Sequence, residues 1–214
     1  MTRVKICGLT TLEDALAAAE AGADLLGFVL VPSSPRRVTP EQAAGLVAGL
    51  RECGIRLPCV GVVAGLAAVE VRELKRRCAF NLMQLHGEEA PEVAAALYPE
   101  AIVARAVAGP EALADLGRYR AYAYLLDARG PGPRTGPARP WDWRLLRSVA
   151  LPGRVIVAGG LTPENVAEAV RVARPWGVDV ASGVEAAPGR KDRAAMARFV
   201  RAVREVDHAV KADA

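Results

Sequence analysis

The chain has 214 residues, of which 52% are hydrophobic, 5% aromatic and 24% charged, with a formal charge of 28 − 24 = +4. These proportions suit a globular chain with a substantial core. Basic residues interspersed with acids, as in Arg72-Glu73-Leu74-Lys75-Arg76-Arg77, argue against nucleic-acid binding, which needs a concentrated stripe, and favour a small polyanionic metabolite.

Short β-type runs alternate with helical ones along the whole chain. Strands are predicted at Val4–Cys7, Leu25–Leu30, Cys59–Val63, Leu82–Leu85, Ala101–Ala106, Tyr122–Leu126, Val155–Ala158 and Val178–Ala181. Helices are predicted at Leu12–Ala21, Pro40–Arg51, Ala67–Arg77, Pro91–Leu97, Pro110–Leu116, Trp143–Ser148, Pro163–Ala173 and Asp192–Val206. Leu12, Ala15, Leu16 and Ala19 mark one buried helix face. Thr162 followed by Pro163 marks a helix start. Strands each followed by a helix predict a parallel sheet. An open doubly wound sheet would place a G-x-G-x-x-G turn after its first strand, where this chain reads Cys7-Gly8-Leu9-Thr10. The expected fold is therefore α/β, a single (β/α)8 TIM barrel domain over residues 1–214 with its active site at the C-terminal face of the strands.

No apolar stretch is long enough for a membrane span, and no signal peptide precedes the first strand, so a cytoplasmic location is expected. Cys7, Cys53, Cys59 and Cys78 form no CxxC pair and read as free thiols without a metal.

Two glycine loops near the end of the chain suit a phosphate. Val155-Ile156-Val157-Ala158 stops at Gly159 and Gly160, and Val178-Asp179-Val180-Ala181 stops at Ser182 and Gly183. Glycine lets backbone N–H groups approach an anion, and loops after strands seven and eight of a barrel commonly do so. Cys7 closes the first strand, where alternation turns it and Lys5 inward; it is either a small buried hydrophobe or a base. Asp127 follows the apolar run Tyr124-Leu125-Leu126, in the partly desolvated setting that a general acid needs, or else it fixes a loop. The adjacent Arg36 and Arg37, in the loop after strand two, either face solvent or meet an anion, and one of them suits two parallel hydrogen bonds to a substrate carboxylate. His86 shares a strand face with Gln84 and either orients substrate or satisfies loop carbonyls. In a closed barrel strands one and eight are neighbours, so Asp179 is expected to pair with Lys5 just beneath Cys7.

Several motifs occur together in order: Lys5-Ile6-Cys7-Gly8-Leu9-Thr10, Gly27-Phe28-Val29, Ser34-Pro35-Arg36-Arg37-Val38, Gln84-Leu85-His86-Gly87, Leu125-Leu126-Asp127, Ala158-Gly159-Gly160-Leu161, Ser182-Gly183-Val184-Glu185 and Pro188-Gly189-Arg190-Lys191-Asp192. From Val4 to Asp192 the chain resembles the phosphoribosylanthranilate isomerases of tryptophan biosynthesis. The resemblance implies a (β/α)8 barrel without a cofactor and an Amadori rearrangement of N-(5-phosphoribosyl)anthranilate. It implies Cys7 as general base, Asp127 as general acid and Arg36 as substrate anchor. The chain departs from the family pattern at Pro133-Arg134-Thr135-Gly136, Trp141-Asp142-Trp143, Val60-Gly61-Val62-Val63 and Arg105. A histidine-pathway type of phosphosugar isomerase, expected to carry aspartate at Cys7, and a non-catalytic phosphometabolite sensor are the alternatives. The expected partner is a small phosphorylated substrate, with neither nucleic acid nor membrane, in a monomer or homodimer.

Overall fold

A computed structural model describes residues 1–107, 109–128, 141–147 and 150–212. Eight parallel strands close into a barrel in sequence order: β1 (Arg3–Cys7), β2 (Leu25–Val29), β3 (Cys59–Val63), β4 (Leu82–Leu85), β5 (Ala101–Ala106), β6 (Ala123–Asp127), β7 (Val155–Val157) and β8 (Gly177–Val180). Pairing of β1 with both β2 and β8 closes the ring, with Lys5 opposite Leu25 on one side and Asp179 on the other. The helices are α1 (Leu12–Glu20), α2 (Pro40–Glu52), α3 (Ala68–Arg77), α4 (Pro91–Leu97), α5 (Pro110–Ala114), α6 (Val166–Ala173) and α7 (Arg193–Ala212). A short antiparallel hairpin, β9 (Glu185–Ala187) and β10 (Arg190–Lys191), stands between β8 and α7.

Alternation along the strands builds two cores. Val4, Ile6, Leu26, Phe28, Met83, Leu85, Val103 and Leu126 face the helices, while Leu25, Val60, Leu82, Ile102, Leu125 and Ile156 fill the barrel. Strands buried on both faces read as near-continuous apolar runs, which is why they are legible from sequence. Thr39 caps α2 by accepting from Gln42 N, Gln42 returns a bond to Thr39 N, and Pro40 occupies the first turn.

Four local expectations are corrected. The helix expected at Pro163 begins at Val166, because Asn165 takes the Thr162 N–H at 2.8 Å and donates to Gly160 O at 2.9 Å, holding 163–165 in a turn. The segment after β6 forms a 3-10 helix at Trp143–Arg147, not an α-helix; Ser148 lies outside the described residues. The fifth helix ends at Ala114 and continues as a 3-10 turn, Asp115–Arg118. The buried face of α1 is centred on Asp14, Ala15, Ala17 and Ala18. Asp14 belongs to it because its Oδ2 accepts the Lys191 N–H at 3.0 Å. The Pro133–Gly136 segment also lies outside the described residues.

Candidate active site

The expected site residues gather at the C-terminal ends of the strands. Cys7 ends β1, Asp127 ends β6, Gly159 and Gly160 follow β7, and Ser182 and Gly183 follow β8. Cys7 packs with Val29 and Val62 above the layer that holds Lys5. Lys5 is 1% exposed, and its Nζ donates to Asp179 Oδ1 at 2.8 Å. Burial alone pushes the Lys5 ammonium down; Asp179, and after it Cys7, outweigh that effect and hold it above its ordinary value. Gly27 stands opposite Cys7 on β2. A Cβ there would lie 2.8 Å from Cys7 Sγ and 3.1 Å from Lys5 Nζ, so the missing side chain makes room for both.

Arg36 is buried and held by a second carboxylate. Its Nε donates to Glu185 Oε1 at 2.8 Å and its Nη2 to Glu185 Oε2 at 2.7 Å, a two-pronged pair. Lys191 Nζ donates to the same Glu185 Oε1 and to Ala181 O, both at 3.0 Å. Burial works against charge on Glu185, but Arg36 and Lys191 prevail and hold its carboxyl below the usual range. On Lys191 burial prevails over Glu185 and pushes the ammonium down. Gly8, at φ +77°, makes the Arg36 position possible, since a Cβ there would lie 2.5 Å from Arg36 Cδ.

The two glycine loops touch. A Cβ on Gly183 would meet Leu161 O at 1.9 Å, and Gly159, at φ +84°, leaves no space for one against Ala128 N at 2.3 Å and Asp127 Oδ1 at 2.7 Å. Gly159 therefore brings the β7 loop against the carboxylate of Asp127. At the end of β4, Gln84 Nε2 lies 2.7 Å from His86 Nδ1, within hydrogen-bond distance. Gln84 Oε1 is buried without a hydrogen-bond partner among the described residues. Arg105 ties the loop after β4 to β5, donating to Gly87 O at 3.1 Å and Glu89 O at 2.8 Å.

Residues 4–202 match the family model described as N-(5'phosphoribosyl)anthranilate (PRA) isomerase. The chain belongs to the phosphoribosylanthranilate isomerase family. An N-(5'-phosphoribosyl)anthranilate isomerase of Geobacter sulfurreducens is 47% identical over 201 residues, covering 94% of this chain and 98% of that one. The solved phosphoribosyl anthranilate isomerase of Thermus thermophilus superposes with a TM-score of 0.82 at 42% identity, over 96% of this chain and 100% of that one. A third, solved in complex with reduced 1-(o-carboxyphenylamino)-1-deoxyribulose 5-phosphate, gives 0.80 at 34% identity over 96% of this chain and 100% of that one. Among the described residues no helix is long and apolar enough to cross a membrane. Sequence reasoning gives no role to Glu185 or Lys191. The available signal was the Pro188-Gly189 turn between charged residues, a hairpin mark that directs both side chains back to the barrel mouth.

Proposed function

We propose that Cys7 and Asp127 carry the proton transfers by which this isomerase of tryptophan biosynthesis rearranges N-(5-phosphoribosyl)anthranilate. Asp127 protonates the furanose ring oxygen, and the ring opens to a Schiff base. Cys7 then takes the proton from the sugar C2, and the enolamine becomes the ketone of 1-(2-carboxyphenylamino)-1-deoxyribulose 5-phosphate. General acid and general base each contribute about 10²–10⁴ in rate when positioned. Gly159, Gly160, Ser182 and Gly183 receive the phosphate, and Arg36 receives the anthranilate carboxylate at the other end. Lys5 and Asp179 support Cys7 from the layer below, and His86 orients substrate.

The observation that carries this reading is the placement of Cys7 and Asp127 on inward positions at the ends of β1 and β6, with the β7 glycine loop against Asp127. By the same reading the substrate is a small phosphorylated molecule and the reaction takes place in the cytoplasm, within one barrel domain over residues 1–214 that acts as a monomer or homodimer. The test is complementation of a tryptophan auxotroph lacking this step, with product identified in vitro. Growth with conversion supports the reading. A protein that binds the substrate and leaves it unconverted would be the sensor instead.

A further inference from the structure

Arg36 is held in one orientation by groups that the acid–base scheme does not use. Glu185 takes Nε and Nη2, one edge of the planar guanidinium. The other edge, Nη1 with the second hydrogen of Nη2, donates to no protein group among the described residues. A guanidinium offers five donors in a fixed fork, so fixing one edge aims the other. Glu185 is itself fixed. Lys191 Nζ donates to its Oε1 at 3.0 Å, Gly189 N lies 3.3 Å from the same oxygen, and the hairpin is pinned where Thr10 Oγ1 donates to Gly189 O at 2.6 Å. The Lys191 side chain is 0% exposed and that of Glu185 is 5% exposed, so neither pair is a solvated surface bridge.

We infer that Glu185 and Lys191 are positioning residues: through them the β9–β10 hairpin aims the free edge of Arg36 at the carboxylate of the substrate and so sets specificity for a carboxylated aromatic amine. The inference rests on the reading of Arg36 as the carboxylate anchor. It also accounts for the charge count. Two cations and one carboxylate leave the cluster one positive charge in excess, which an incoming carboxylate neutralises.

Positioning and bulk charge predict opposite signs for one variant. Glu185→Gln adds a net positive charge, so attraction alone would lower KM for the anthranilate substrate. Loss of aim raises it, by about 10- to 100-fold for a charged hydrogen-bond pair, with kcat changing by less than about threefold. The paired substrate is the phosphoribosylated aniline, which lacks the carboxylate, and its KM is expected to stay near the wild-type value. A KM for the anthranilate substrate that is unchanged or lower, or an equal rise for both substrates, overturns the inference. Arg36→Ala on the same two substrates separates the layers. If it affects both equally, the anchoring reading itself fails; if it is selective and Glu185→Gln is not, only the positioning fails. Should Glu185→Gln not fold, Lys191→Met carries the same test, with an expected selective rise of about 3- to 10-fold; an unselective or absent rise overturns the inference.

Discussion

Lys5 places a full charge inside the barrel at 1% exposure, and it persists because Asp179 lies 2.8 Å away. Removing one partner of such a pair leaves an uncompensated buried charge, so Asp179→Asn is expected to lower stability by about 3–5 kcal/mol in urea unfolding. The double variant Lys5→Met/Asp179→Asn should recover part of that loss; an Asp179→Asn protein as stable as wild type would contradict the pairing. The pH dependence has a definite sign. The Lys5 value is held above its ordinary 10.5 against burial, chiefly by Asp179, so its stabilisation is complete below 10.5 and disappears as pH climbs through the folded value. This pair is legible in sequence because strand alternation and ring closure together fix which side chains meet. The Arg36–Glu185–Lys191 cluster is not, because its carboxylate stands 149 positions from the arginine on a hairpin that periodicity cannot register.

At the level of elements, the β7 and β8 loops act as one unit. Gly183 packs against the backbone of Leu161, and a methyl group there would lie 1.9 Å from Leu161 O. Backbone cannot step aside as a flexible side chain can. Gly183→Ala should therefore separate the loops, raise KM for the phosphorylated substrate and weaken inhibition by inorganic phosphate. Phosphate inhibition equal to wild type would remove Gly183 from the anion grip. The strands were legible within a residue or two because their apolar runs are buried on both faces. Element starts were less so. Thr162-Pro163 has the residues of a helix start, yet Asn165 captures the Thr162 N–H and delays α6 to Val166. Trp143–Arg147 shows helical spacing but winds only as a 3-10 turn, and β9 and β10, of three and two residues, are too short to leave a pattern.

For the whole molecule, ring closure and the return of the C-terminal helix tie the chain's two ends together. The chain start is tied to α7 where Thr2 N and Oγ1 donate to Asp207 at 2.7 and 2.8 Å, and Arg204 donates to Thr2 O at 2.6 Å and Asp24 Oδ2 at 2.8 Å. These ties hold β1, and with it Cys7, in the ring beside β8. The barrel then presents Cys7 from β1, Asp127 from β6, the glycine loops after β7 and β8 and Arg36 from the loop after β2, all on one face. The most direct measurement is single-turnover conversion of N-(5-phosphoribosyl)anthranilate, followed by loss of substrate fluorescence, for wild type, Cys7→Ser and Asp127→Asn. Wild type should convert the substrate, each variant should be slower by about 10²–10⁴, and a product analogue should still bind both. Near-wild-type turnover by either variant would contradict the assigned acid–base pair.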